Sequence, residues 1–218
     1  TGCLVPPKGY LKRLREICDK HGILLIFDEV ITGWGRTGES FAAQSFDVTP
    51  DIITMAKGIT NGVMPLGAVA SRESIYDTLL DASPTGAIEF FHGYTYSAIP
   101  PCIAAGLAMQ EIFKKENLIQ RSKNMSPYFL DGLFSLKDID IITDIRGYGM
   151  LGGIDIKFDE RLGKAGYSCF KKLFEAGLSL KATGDCLCVA PPFICEEHHI
   201  DEIIDKLRSG ITNYMKSV

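Results

Sequence analysis

With 218 residues, 46% of them hydrophobic and 23% charged, the chain has the composition of a soluble globular protein, enough for one large domain or two modest ones. Its net charge of −4 and pI near 5.6 argue against a nucleic-acid or anionic-membrane partner. No apolar stretch approaches the length of a membrane span and the first residues carry no signal-peptide pattern, so the expected location is the cytoplasm and the expected partner a small molecule or another protein.

Pro6 and Pro7 precede a helix in which Tyr10, Leu11, Leu14, Ile17 and Cys18 recur at helical spacing, with Gly22 as its stop. Ile23 to Phe27 then reads as a strand buried on both faces, as in a parallel sheet covered by helices. Asp28 and Glu29 fall at its carboxyl end, the edge where open α/β sheets place their ligands. Gly33, Gly35 and Gly38 mark a loop, and a short helical piece spans Phe41 to Ser45. These glycines follow neither the dinucleotide nor the P-loop spacing, so they read as ordinary loop glycines. Asp51 to Ala56 is a second strand, ending at Lys57-Gly58, and Leu66 to Ala70 a third.

FFHGYTYSAIPP, residues 90–101, has neither helical nor alternating period and reads as a structured loop, with Pro100 and Pro101 starting a helix. A further helix covers about Leu118 to Leu136, with Pro127 predicting a kink or a restart. From Asp138 the organisation changes. Strands at Ile139 to Arg146 and Met150 to Ile156, a helix, a strand pair between Leu178 and Ala190 and a last helix with Ile200, Ile203, Ile204, Leu207 and Ile211 on one side follow. The expected domains are therefore 1–117, sheet and helices, and 118–218, a smaller α+β part. The start at Thr1 without methionine, close before a helix and a buried strand, reads as part of a longer polypeptide.

Two strand ends carry the chemistry. A carboxylate at the end of an apolar strand needs a cationic or hydrogen-bonding partner, which Asp28 would find in a structural arginine or a capped amide. Lys57, flanked by apolar residues in Ile-Thr-Met-Ala-Lys-Gly-Ile, reads as a partly buried amine made nucleophilic by its surroundings. Together they suggest pyridoxal phosphate, with the lysine holding the aldehyde as an imine and the carboxylate keeping the ring nitrogen protonated. The pattern fits a plain α/β domain with a buried ion pair as well. Cys195, Glu196, Glu197, His198 and His199 invite a metal assignment, but adjacent ligands at a helix start do not easily converge on one ion, so no metal site is expected. His92 reads as a loop hydrogen-bonder. The seven cysteines, odd in number and without a C-x-x-C pair, read as reduced core thiols, and Cys186 and Cys188, two apart on a strand, as packing residues on one face.

LLIFDEVITGWGRTG, PDIITMAKGITNGVMPLGAV and FFHGYTYSAIPP, in this order and spacing, closely resemble the class III pyridoxal-phosphate-dependent aminotransferases, in particular the omega-amino acid (β-alanine):pyruvate type. The likeness continues through DIRGYGMLGGIDI and GLSLKATGDCLCVAPPF to the final helix, and covers about the C-terminal half of such an enzyme. It implies a fold-type I α/β fragment: the later part of the large, mostly parallel-sheet domain plus a small α+β domain. It makes Lys57 the Schiff-base lysine, Asp28 the partner of the ring nitrogen and Val30 a packing residue on one ring face. It gives Thr95 a hydrogen bond to the cofactor phosphate of the neighbouring subunit of a homodimer. The implied activity moves an amino group from an omega-amino acid or amine to a keto acid such as pyruvate. One departure stands out: Lys181 occupies a position where the family commonly has a carboxylate-clamping arginine, and offers a point charge without a bidentate fork. The family's phosphate-binding glycine-serine turn and ring-stacking aromatic fall before Thr1. Rival readings are an aminomutase or decarboxylase sharing the Asp and Lys blocks, and an inactive remnant or dimerisation module.

Overall fold

Helix α1 (Tyr10–His21) ends at Gly22, whose left-handed φ of 63° lets its N–H turn back to Asp19 O, as a helix-ending glycine does. A computed structural model describes residues 2–85, 87, 92–157 and 163–217. Strand β1 (Ile26–Asp28) pairs in parallel with β2 (Ile52–Met55), in the register Ile26 to Ile52, Phe27 to Ile53 and Asp28 to Thr54. The short α2 (Ala42–Ser45) lies between them in sequence, and β3 (Ala68–Ser71) adds to β2 antiparallel. Two further helices follow, α3 (Glu73–Ala82), where the sequence reading assigned no element, and α4 (Pro100–Lys115), begun by its two prolines. These elements form one compact unit, Lys8–Trp34 with Glu39–Asn117.

The expected doubly buried strand is corrected. β1 is three residues long, and Ile23, Leu24 and Ile26 are 54%, 54% and 55% exposed. An apolar run signals a covered strand only if cover is present, whereas among the described residues β1 is an edge strand hydrogen-bonded to β2 alone. Polar fastening does more here. The buried Asp51 carboxylate accepts from Leu25 N and Arg15 Nη1, both at 2.7 Å, and from Arg72 Nε at 3.1 Å. The Leu25 N–H bond first, then Arg15, holds this carboxyl below its ordinary range despite burial.

The second unit comprises Thr1–Pro7, Gly35–Gly38 and Leu118–Val218. Helix α5 (Leu118–Phe134) is continuous across Pro127 and passes into a 3₁₀ turn, Ser135–Asp138, so the restart expected at the proline does not occur. An interior proline costs about 3 kcal/mol. Phe129 and Leu133, both wholly buried, together return a comparable amount at about 1.5–3 kcal/mol each.

Strands β4 (Ile142–Tyr148), β5 (Leu151–Ile156), β6 (Lys181–Thr183) and β7 (Cys186–Val189) form an antiparallel sheet in the order β4-β5-β7-β6. Helices α6 (Lys164–Glu175) and α7 (Glu197–Met215) complete the unit. Ile154, Ile156, Leu187 and Val189 from the sheet share one core with Leu173 of α6 and Ile200, Leu207 and Ile211 of α7. Arg36 is knitted into the same unit. Its guanidinium donates to Met150 O and Pro191 O, both at 2.8 Å, and lies 4.4 Å from the Phe193 ring centre. Burial lowers its pKa to about 10.

Candidate active site

Because β1 and β2 are parallel neighbours in register, their carboxyl ends fall on one edge of the sheet, and each delivers one charged residue there. Asp28 closes β1. Its Oδ1 accepts from Thr54 Oγ1 at 3.2 Å and from Val30 N at 3.1 Å, and among the described residues nothing donates to Oδ2. The Val30 N–H bends back to the carboxylate two residues earlier, which fixes its rotamer and leaves the other oxygen pointing outward for a further partner.

Glu29, the adjacent carboxylate and an equal candidate from the sequence, is separated from this role. It is 1% exposed and fully engaged: Ala42 N, Ala43 N and Thr32 Oγ1 all donate to it at 2.7 Å. Helix α2 begins after Phe41, which has no side-chain acceptor, so the orphan N–H groups of its first turn need one from elsewhere. That unmet need was the available sequence signal.

Lys57 follows β2 after Met55 and Ala56 and opens a 3₁₀ turn, Lys57–Ile59. Its φ is 47°, left-handed backbone that a lysine adopts at a cost of about 1–2 kcal/mol. The turn packs closely against an aromatic neighbour. A Cβ on Gly58 would stand 2.6 Å from Trp34 Cβ, so only glycine admits the tryptophan there. Trp34 stacks in turn on Phe113, with ring centres 6.2 Å apart, and tilts against Phe41 at 5.3 Å. The sequence reading assigned no role to Trp34 or Thr54. The expected burial of the two charged groups is corrected: Asp28 and Lys57 are both exposed, at the open end of a three-stranded sheet, and the Lys57 amine makes no ion pair among the described residues.

Val30 is half-buried one turn beyond Asp28. Thr95 is exposed within a tight turn in which Ser97 N donates to Tyr94 O at 3.0 Å and Tyr94 N to Ser97 Oγ at 3.2 Å. Its own hydroxyl makes no hydrogen bond among the described residues. Phe90 and Phe91 of the same block lie outside the described residues. Lys181 belongs to the other unit, exposed on the edge strand β6 and in register with Cys188 of β7. Glu196, His198 and His199 offer ligand atoms that all lie within 4.8 Å of one another on the exposed start of α7. His199 Nδ1 is engaged there, accepting from Glu196 N at 3.1 Å at the start of α7.

The family model described as "Aminotransferase class-III" matches residues 1–211. The omega-aminotransferase of Caulobacter vibrioides is 48% identical over 209 residues, covering 95% of this chain and 47% of that protein. The beta-alanine–pyruvate aminotransferase of Pseudomonas aeruginosa is 46% identical over 215 residues, covering 97% and 48%. Among solved structures, a transaminase from a marine Virgibacillus superposes with a TM-score of 0.91 at 32% identity, over 99% of this chain and 51% of the other. The chain thus spans about half the length of the relatives it matches.

Proposed function

Because the chain belongs to the class-III aminotransferase family, we propose that it carries the amine and the anchoring carboxylate of a pyridoxal 5'-phosphate site that transfers an amino group from an omega-amino acid or amine to a keto acid such as pyruvate. One observation supports this most directly. At the ends of two parallel neighbouring strands, among the described residues, Asp28 keeps a carboxylate oxygen without a donor, and Lys57 keeps an unpaired amine on strained backbone. Strain that the surroundings enforce is the kind that functional sites store.

When bound, pyridoxal phosphate supplies a protonated ring that draws electrons from the bond being broken at the substrate carbon. Asp28, fixed by Thr54 and the Val30 N–H, holds the ring-nitrogen proton through its free oxygen. The Lys57 Nζ would be the group that holds the cofactor and, when free, would carry a proton away from the substrate carbon and back to it. Val30 packs on one ring face. Thr95, whose exposed hydroxyl is unengaged among the described residues, would donate to the cofactor phosphate of a neighbouring subunit, which would make the working unit a homodimer. Lys181 supplies a positive charge to the substrate carboxylate. We place the enzyme in the cytoplasm. Among the described residues no helix is long and apolar enough to cross a membrane.

The test is borohydride reduction of the cofactor-replete full-length protein followed by peptide mapping. Cofactor mass on Lys57 is expected; mass on another lysine, or on none, overturns the assignment. Lys57→Ala should lower amino transfer by about 10²–10⁴-fold. A second reading, an inactive remnant or dimerisation module, draws on the exposed apolar run of β1. It predicts no visible cofactor absorbance from the full-length protein, and amino-donor and acceptor assays separate transfer from mutase or decarboxylase chemistry.

A further inference from the structure

The chain has a single tryptophan, and it lies against the turn that carries Lys57. The backbone of Trp34 is itself left-handed, with φ 61°, and its N–H donates to Ser40 O at 2.6 Å. Two side-chain-bearing residues in a conformation that suits glycine, Trp34 and Lys57, thus stand on either side of one contact.

That contact runs through Gly58, the residue into which the Lys57 bend continues. A Cβ there would stand 2.6 Å from Trp34 Cβ, 2.9 Å from its Cγ and 3.0 Å from its Cδ1, so the root of the indole fills the space a side chain would take. On its other side the turn meets α4, where a Cβ on Gly106 would stand 3.7 Å from Ile59 O. Within the turn, Ile59 N donates to Ala56 O at 3.2 Å and Thr60 N to Lys57 O at 3.3 Å, both at the long end for such bonds. Packing on the Gly58 backbone therefore does more to hold this turn than its own hydrogen bonds do.

The indole is held in its turn by two aromatic rings. Phe113 of α4 is buried and stacks on it with 29° between the planes, and Phe41, just before α2, tilts against it at 58°. The indole Nε1 is buried without an acceptor among the described residues. Its N–H therefore adds nothing to the fastening; the flat apolar ring supplies it, and a phenylalanine ring can do the same.

We infer that Trp34 is a positioning residue for the Lys57 amine: wedged between Phe113 and the Lys57–Ile59 turn, its ring keeps the lysine in the left-handed bend and so fixes where Nζ stands on the sheet edge it shares with Asp28. The inference rests on the reading of Lys57 as the residue that holds the cofactor. Trp34 acts through the Gly58 backbone and the bend before it, and its contribution is orientation. An amine on fixed backbone has less freedom to lose when it meets its partner, and small misplacements of such a group slow a reaction steeply.

The test is the rate at which pyridoxal phosphate attaches to the full-length protein, trapped by borohydride at successive times with every lysine mapped. Trp34→Leu keeps an apolar side chain without the ring and should slow attachment at Lys57 by about 10–100-fold. Trp34→Phe keeps the ring and should attach at the wild-type rate. Gly58→Ala invades the same contact from the turn and should slow attachment as Trp34→Leu does, which keeps the test decisive if the leucine variant does not fold. Leu207→Ala, which weakens the core of the other unit, should leave the rate per folded molecule unchanged. A wild-type rate in Trp34→Leu or Gly58→Ala, a Trp34→Phe as slow as Trp34→Leu, or an equal slowing in Leu207→Ala overturns the positioning role while leaving Lys57 as the attachment point. Cofactor mass on another lysine of the wild-type protein overturns the reading of Lys57, and this inference with it.

Discussion

In the unit built on β4 to β7, Phe129, Leu133, Leu173, Leu187, Leu207 and Ile211 are all 0% exposed; in the unit built on β1 to β3, Ile23, Leu24, Ile26 and Val69 are each more than half exposed. The first is ordered by a hydrophobic core. The second holds its strand ends by buried carboxylates, Asp51 at the start of β2 and Glu29 after β1, each receiving three donors. The contrast teaches that the proposed chemistry sits on the unit fastened by directional bonds.

The largest effect expected is on the core side. Leu207→Ala should cost about 2–5 kcal/mol in urea unfolding, because a wholly buried leucine leaves a cavity its neighbours cannot fill. A loss under about 1 kcal/mol would erase the contrast. On the other side, Asp51→Asn should cost about 1–3 kcal/mol, because Leu25 N–H and Arg72 lose a charged acceptor and Arg15 keeps only Asp19. The pH dependence has a definite sign. The folded carboxyl lies below its ordinary 3.8, so its contribution is complete above that value and is lost as pH falls through the lower, folded one. Wild-type stability should therefore drop below about pH 4, more steeply than that of Asp51→Asn, and parallel curves would remove Asp51 from this role. The smallest effect belongs to the open strand. Ile26→Thr should change stability by less than about 0.5 kcal/mol while lowering self-association in sedimentation, since an exposed apolar edge invites pairing.

Much of this was legible in the sequence because it is periodic or punctuated. Two apolar runs ending in opposite charges predict parallel strands that bring Asp28 and Lys57 to one edge, and that is the register found. The α7 stripe, Ile200 to Ile211, is likewise buried as spaced. What periodicity cannot carry is the environment. It assigned cover to β1 that the described residues do not provide, and it could not divide Asp28 from Glu29, because the division depends on helix N–H groups 13 and 14 residues away. Nor could it foresee that Gly35–Gly38 groups with the second unit, since Arg36 bonds carbonyls 114 and 155 positions on.

The left-handed backbone at Lys57 bears on how such a sequence persists. Glycine, and to a lesser degree asparagine, suits that φ better than lysine, and in the absence of a need for the amine either replacement would relieve strain. A lineage drifting free of catalysis is therefore pushed away from lysine here by folding itself. Lysine therefore stands here against the preference of its own backbone.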